Sequence, residues 1–141
     1  MKVQQTHHLL GRLEELPVGE CMELLAAKRV GRVGVSPSTG PQIFPVNFVL
    51  HDGNVVFRVA PYSRLAGLLD ETSVAFEVDE IDDFLECGWS VLVVGQAHVV
   101  ADLTGLPHTW AERPHPWASG SRDLYIRIDP TNITGRRVLP A

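Results

Sequence analysis

The feature that most restricts this chain is a succession of short runs in which apolar and polar residues alternate, each ending in a turn signal. A period of two turns one face of an extended segment inward and the other outward, so such runs predict half-buried strands. Val30-Gly31-Arg32-Val33-Gly34-Val35 leads into the turn cluster Ser36-Pro37-Ser38-Thr39-Gly40. A second strand is expected from Gln42 to His51, and Asp52-Gly53, a strong hairpin signal, opens a third from Asn54 to Ala60. These three predict an antiparallel meander. Strand patterns resume from Ser73 to Asp79 and from Gly88 to Val100, the latter long enough to cross a barrel and bend at Gly95. The last strands are expected at Asp123 to Ile128 and Ile133 to Leu139.

Helical signals are few. Residues 1–15 read as a polar arm, and Leu16 to Ala27, with Pro17 near the start, places Val18, Met22 and Leu25 on one face of a short amphipathic helix. A small helix is expected from Ser63 to Asp70, with Ser63 as its cap and Leu65, Leu68 and Leu69 facing one way. Residues 102–122, with Pro107, Pro114 and Pro116, read as a short helix and loop. The expected fold is mainly β: an antiparallel barrel of about six strands, because closure removes the exposed edges that a meander leaves. Its 141 residues fit one domain, 1–141.

Composition narrows the function classes. Apolar residues make up 45% and charged residues 21%, as in globular proteins, and no apolar run approaches the roughly 20 residues needed to span a bilayer. The polar start Met1 to His8 lacks the apolar stretch of a secretory signal, so a cytoplasmic location is expected. There Cys21 and Cys87 read as free thiols rather than a disulfide or catalytic pair. A net charge of −5 without a Lys/Arg cluster argues against nucleic acid, which needs a basic stripe to neutralise phosphates.

Hydrolase and zinc signatures are missing: no G-x-S-x-G elbow, no H-E-x-x-H and no paired cysteine spacing. His98, His108 and His115 fit no ligand pattern, so no metal site is expected. The acidic run from Glu77 to Asp83 reads as a solvated face. Ser63 and Arg64 carry more. After a strand and at a helix entrance, backbone N–H groups, a hydroxyl and a guanidinium converge on an anion, a phosphate site in outline, although Ser63 as a plain cap and Arg64 as a solvated cation explain the pair as well.

Their surroundings add a resemblance. Pro45-Val46-Asn47-Phe48, the run from Val56 through Arg58, Val59, Ser63 and Arg64 to Leu65, Phe76-Glu77-Val78-Asp79, and Gly88-Trp89-Ser90-Val91 with Val93 and Gly95 together resemble the pyridoxamine 5′-phosphate oxidase-like family. The resemblance covers nearly all of the chain from the first helix to Arg137. It implies a flavin-reductase-like split β-barrel, a homodimer, and flavin mononucleotide (FMN) in a groove between the subunits. Ser63 and Arg64 match the residues that hold the flavin phosphate, and Arg58 and Val59 lie on the strand flanking phosphate and ribityl chain. Pro45 to Phe48 match the strand beside the isoalloxazine ring, where amides of Val46 and Asn47 could bond its polar edge. Trp89 and Ser90 match a strand that reaches the cofactor from the other subunit; Trp89 reads equally as a core or interface aromatic.

Two departures bear on the substrate. Leu65 stands where the oxidases have a second basic residue, and Pro45-Val46-Asn47 lacks their arginine and lysine. The resemblance is therefore to a short branch whose relatives bind FMN, a deazaflavin coenzyme or haem. The expectation is an FMN-dependent oxidoreductase of a small-molecule substrate, with no side chain acting as acid or nucleophile. The rivals are a deazaflavin-dependent reductase and a non-enzymatic flavin or haem binder.

Overall fold

The computed structural model describes residues 11–100 and 124–141. Along them run β1 (Arg12–Leu16), α1 (Val18–Ala26), β2 (Val30–Val35), β3 (Gln42–His51), β4 (Asn54–Val59), a 3-10 turn (Ala66–Leu68), β5 (Thr72–Asp82), β6 (Cys87–Val99) and β7 (Leu124–Leu139). All ladders are antiparallel, in the order β1-β7-β4-β3-β2-β5-β6, and a further β6–β7 ladder joins the ends. β2 to β7 thus close a six-stranded barrel, the expected mainly β architecture.

β7 does double duty in this closure. Leu124–Ile128 pairs with β4, Gly135–Leu139 pairs with β1, and β6 follows the opposite edge from Ile126 to Val138. Inward positions alternate as the sequence predicts: Val74, Phe76 and Val78 on β5 and Val91, Val93 and Ala97 on β6 are buried. Phe48 and Phe76 meet edge to face at 4.8 Å in the core. Gly31 makes room for them, because a Cβ there would lie 2.3 Å from the Phe76 ring, whereas one on Gly34 would meet only Ala75 at 3.8 Å. The β3–β4 hairpin forms at Asp52 (φ 51°) and Gly53 (φ 79°), the left-handed backbone that a two-residue type I′ turn requires.

The structure corrects several expectations. Residues 12–15 of the expected arm and Leu16, expected to open the helix, form a strand paired with the end of β7. On α1 the buried pair is Cys21 and Leu25, one turn apart, while Val18 is exposed, because the helix lies against β7 and is tied there by Arg137 Nη1 to Glu20 Oε2 at 2.7 Å. The expected helix at 63–70 is one 3-10 turn. The two last strands are one, continuous through Pro130, which stands opposite Gly95 where the β6–β7 register shifts. That bulge is the bend expected at Gly95: a Cβ there would lie 2.3 Å from the Asp129 carbonyl oxygen. The helix and loop expected at 102–122, with His108 and His115, fall outside the described residues.

Candidate cofactor site

The barrel comes apart at one seam. The β3–β4 ladder runs from His51↔Asn54 to Phe48↔Phe57 and stops. Beyond it β3 continues along β2, pairing Asn47 to Gln42, while β4 continues along β7, pairing Arg58 with Tyr125 and Val59 with Leu124. A wedge opens between them, with Pro45, Val46 and Asn47 on one bank and Arg58, Val59 and the loop 60–64 on the other. The Phe48 N–H donates to the Arg29 carbonyl on the β2 side. Backbone direction alternates along a strand, so Val46 also turns toward β2 and Asn47 turns its backbone toward the wedge.

Each bank is set by its own packing. Val46, Phe48 and Val59 are buried and hold both strands to the core. Arg58 is half-buried on the outer face, its guanidinium 5.2 Å from the centre of the Tyr125 ring. The loop turns back at once, the Ser63 N–H donating to the Ala60 carbonyl at 3.0 Å, and is then pinned by buried Leu65, Ala66 and Leu69. Ser63 Oγ accepts the Ala66 N–H at 3.2 Å, but the 3-10 turn begins from Leu65 with no side-chain cap, so Ser63 steadies the loop rather than capping the expected helix, and the turn is too short for a helix dipole. Arg64, next to it, is exposed and makes no ion pair with a described residue. The β4 bank and its loop thus carry Arg58, Ser63 and Arg64 within seven residues, across the seam from Pro45 to Asn47; these are residue types suited to an anionic group.

Trp89 and Ser90 are elsewhere in the same copy. They stand on β6, which β2 and β5 separate from the β3 bank of the wedge and β7 separates from the β4 bank. Trp89 packs partly against the core with the Lys28 ammonium 5.9 Å from its ring centre. A groove of about 540 Å³ runs past it, lined by Leu13, Ile81, Cys87, Ser90, Arg136 and Val138. A second, of about 470 Å³, lies beyond Ser90 and Arg136 and reaches Glu15, Glu77, Leu92 and Thr134.

The acidic run is not uniformly solvated. Glu77 and Asp79 are half-buried on the outer face of β5 and share Arg32 of β2, whose Nη1 is 2.9 Å from Glu77 Oε1 and 3.5 Å from Asp79 Oδ2. Burial, reinforced by the hydrogen bond and charge of Asp79, pushes the Glu77 carboxyl up to about 7 against the pull of Arg32. Alternation in Arg32-Val33 and in Glu77-Val78-Asp79 carried the sequence signal for this cluster. Only the β2–β5 register brings the two segments together. His98 sits between Glu71 and Asp129, with Nε2 3.2 Å from Asp129 Oδ2. Among the described residues no group of three His, Cys, Asp or Glu could hold a metal ion, and no helix is long and apolar enough to cross a membrane. Burial raises the Cys21 thiol above its ordinary range, with Glu20 adding to the effect; Cys21 and Cys87 are both free.

With this geometry in place, the profile of the family described as pyridoxamine 5′-phosphate oxidase matches residues 17–137, from the start of α1 through both banks of the wedge to the end of β7. The chain belongs to that family. Members differ in what they are known for. The uncharacterised protein Rv0080 of Mycobacterium tuberculosis is 32% identical over 130 residues, covering 89% of this chain and 85% of the relative. The FAD binding protein of Mycobacterium smegmatis has a similar structure, with a TM-score of 0.70 and 32% identity over 89% of this chain and 98% of its own. A conserved protein of unknown function from Corynebacterium diphtheriae matches with a TM-score of 0.74 and 31% identity, over 90% and 98% of the two chains. The family thus includes a flavin-binding protein at this level of similarity.

Proposed function

We propose that this protein is an FMN-dependent oxidoreductase acting on a small molecule in the cytoplasm, and that two copies share each flavin. The observation that carries the reading is the wedge where β3 leaves β4, with Pro45 to Asn47 along one bank and Arg58 and the loop to Arg64 following the other. Arg58, Ser63 and Arg64 would take the phosphate, Val59 the ribityl side, and Asn47 with its neighbours Val46 and Phe48 the ring. FMN is preferred because one hydroxyl and two guanidiniums suit one phosphate. When bound, the isoalloxazine supplies the redox chemistry. The protein's residues bind and orient it, and none is required as an acid or nucleophile.

Trp89 and Ser90 support the dimer in this reading. On β6, with other strands between them and both banks of their own wedge, they would serve a flavin by reaching the wedge of a second copy. Pyridoxamine phosphate is a poor candidate substrate, since Leu65 and Pro45 to Asn47 provide no cations for a second phosphate. Native mass spectrometry of the purified protein, with its absorption spectrum, tests the proposal. A dimer carrying FMN, with flavin bands, is expected. Release of FAD would keep the flavin and overturn the mononucleotide; a Soret band or a deazaflavin mass would overturn the flavin assignment.

A further inference from the structure

The connection from β4 to β5 carries Ser63 and Arg64 and is held to the barrel at its start, its middle and its far end. At the start the Ser63 N–H bonds the Ala60 carbonyl, and in the middle Leu65, Ala66 and Leu69 are buried. The far end is tied by polar contacts. Asp70 Oδ1 accepts the Val99 N–H of β6 at 3.2 Å, and the Glu71 carboxylate meets Nδ1 of His98 on the same strand. The other ring nitrogen, Nε2, lies 3.2 Å from Asp129 Oδ2 on β7, and Asp129 in turn accepts from Arg127 Nε at 2.6 Å and Nη2 at 3.3 Å. β6 is flanked here by β5 and β7, so among the described residues Asp70, Glu71, Arg127 and Asp129 are the charged groups around His98. Glu71 itself has φ 54°, a left-handed backbone that a glutamate rarely adopts and that persists only where neighbours hold it.

We propose that His98 is a proton-operated clamp: with both ring nitrogens protonated it bridges Glu71 to Asp129 and fixes the far end of the connection that carries Ser63 and Arg64, and loss of one proton releases it. The effect on a cofactor rests on the flavin reading above; the clamp itself does not. A neutral imidazole has one N–H and a carboxylate only accepts, so a ring with a carboxylate at each nitrogen makes both bonds only when both nitrogens are protonated. Loss of either proton turns a lone pair toward one carboxylate and cuts the bridge, whichever bond survives. Asp129 keeps Arg127, whereas Glu71 is left in a conformation that its contact with the ring helped to hold. The freed end gives residues 60–71 more positions to sample, so Ser63 and Arg64 lose more freedom on meeting a phosphate and bind it less tightly. Histidine is the side chain that changes charge between pH 5 and 8, so the clamp is closed at the acidic end of that range and open at the alkaline end.

Hydrogen–deuterium exchange of the purified protein, read on peptides covering 60–71, tests the clamp without any cofactor. His98→Arg is charged and can donate to two carboxylates at every pH, and His98→Gln is neutral at every pH. Wild-type peptides should exchange at the His98→Arg rate at pH 5.5 and at the His98→Gln rate at pH 8.5, the two variants differing by about threefold at either pH, as suits a partly exposed ion pair. Glu71→Gln removes the other end of the bridge from an exposed position that leaves the core intact, and should exchange like His98→Gln at both pH values. FMN titration then reads the consequence. The wild-type Kd should rise about threefold relative to that of His98→Arg between pH 5.5 and 8.5, a ratio from which ionisation of the FMN phosphate cancels. Wild-type exchange that follows the same variant at both pH values, or exchange that is alike in all four proteins, overturns the clamp. Exchange that switches while the Kd ratio stays flat overturns its effect on the cofactor. A protein that binds no FMN at either pH overturns the flavin reading, and exchange still supports or overturns the clamp.

Discussion

The wedge between β3 and β4 and the outer band from Arg32 to Arg136 are both polar regions on an apolar barrel, but they are built in different ways. The wedge comes from two segments close in sequence, a strand ending at His51 and a strand and loop from Asn54 to Arg64. The band is assembled from β1, β2, β5, β6 and β7, whose residues meet only through ladder register. Local chemistry reveals the first; the second exists only once the barrel has closed. A site of the first kind tolerates change elsewhere, whereas one of the second kind depends on the fit of every strand between its members.

The core under the band gives the largest expected effect. Gly31→Ala drives a methyl into the buried Phe76 ring and should cost about 3 kcal/mol, lowering Tm by about 10 °C. Gly34→Ala, three residues along, where the methyl makes only an ordinary contact with Ala75 at 3.8 Å, should shift stability by less than about 0.5 kcal/mol. Equal melting temperatures for the two would show that register around Phe76 does not constrain the band. On the wedge, Arg64→Ala should weaken FMN by about 2 kcal/mol, about 30-fold, with Tm unchanged. Riboflavin, which has no phosphate, should bind both proteins alike in a fluorescence titration; a parallel loss of riboflavin would place Arg64 away from the phosphate.

The next prediction joins the two regions. If each flavin uses the wedge of one copy and Trp89 of the other, Arg64→Ala and Trp89→Leu proteins should each bind weakly, and mixed dimers of the two should regain one intact site. Titration of the mixture for a fraction of sites with wild-type affinity checks this; none regained would confine each site to one copy. The smallest effect is on stability. The Glu77 carboxyl is raised in the folded protein, so its contribution is fully present below its ordinary value of 4.5 and declines as pH rises through about 7. Urea melts of wild type and Glu77→Gln should diverge slightly over that window and run parallel above it, the group's partial exposure keeping the difference small.

What the sequence revealed follows the same division. Alternation located β2 to β6, Asp52-Gly53 marked the hairpin, and Gly95 marked the bulge, because each depends on neighbours a few residues away. β1 was hidden. Arg12-Leu13-Glu14-Glu15-Leu16 shows no clean alternation, and its pairing is dictated by the backbone of Gly135 to Leu139. Pro130 reads as a break in a strand, yet β7 runs on through it at the bulge opposite Gly95. On α1 the periodicity found Met22 and Leu25 but favoured Val18, where contact with β7 chose Cys21. At the candidate site, the Ser63–Arg64 signal was local and legible. The pairing of Arg32 with Glu77 and Asp79 was not, since 45 residues separate the closer partners.

The placement of β7 also governs how such a chain comes into being. It is the last described strand to leave the ribosome, yet β4, β6 and β1 all wait for it, and Arg12 finds its partner only in Leu139. Until then the nascent chain holds unzipped strand edges and unburied apolar faces, the state in which β-rich chains are slow to fold and prone to aggregate. Closure of the barrel therefore depends on one strand that is made after its three partners.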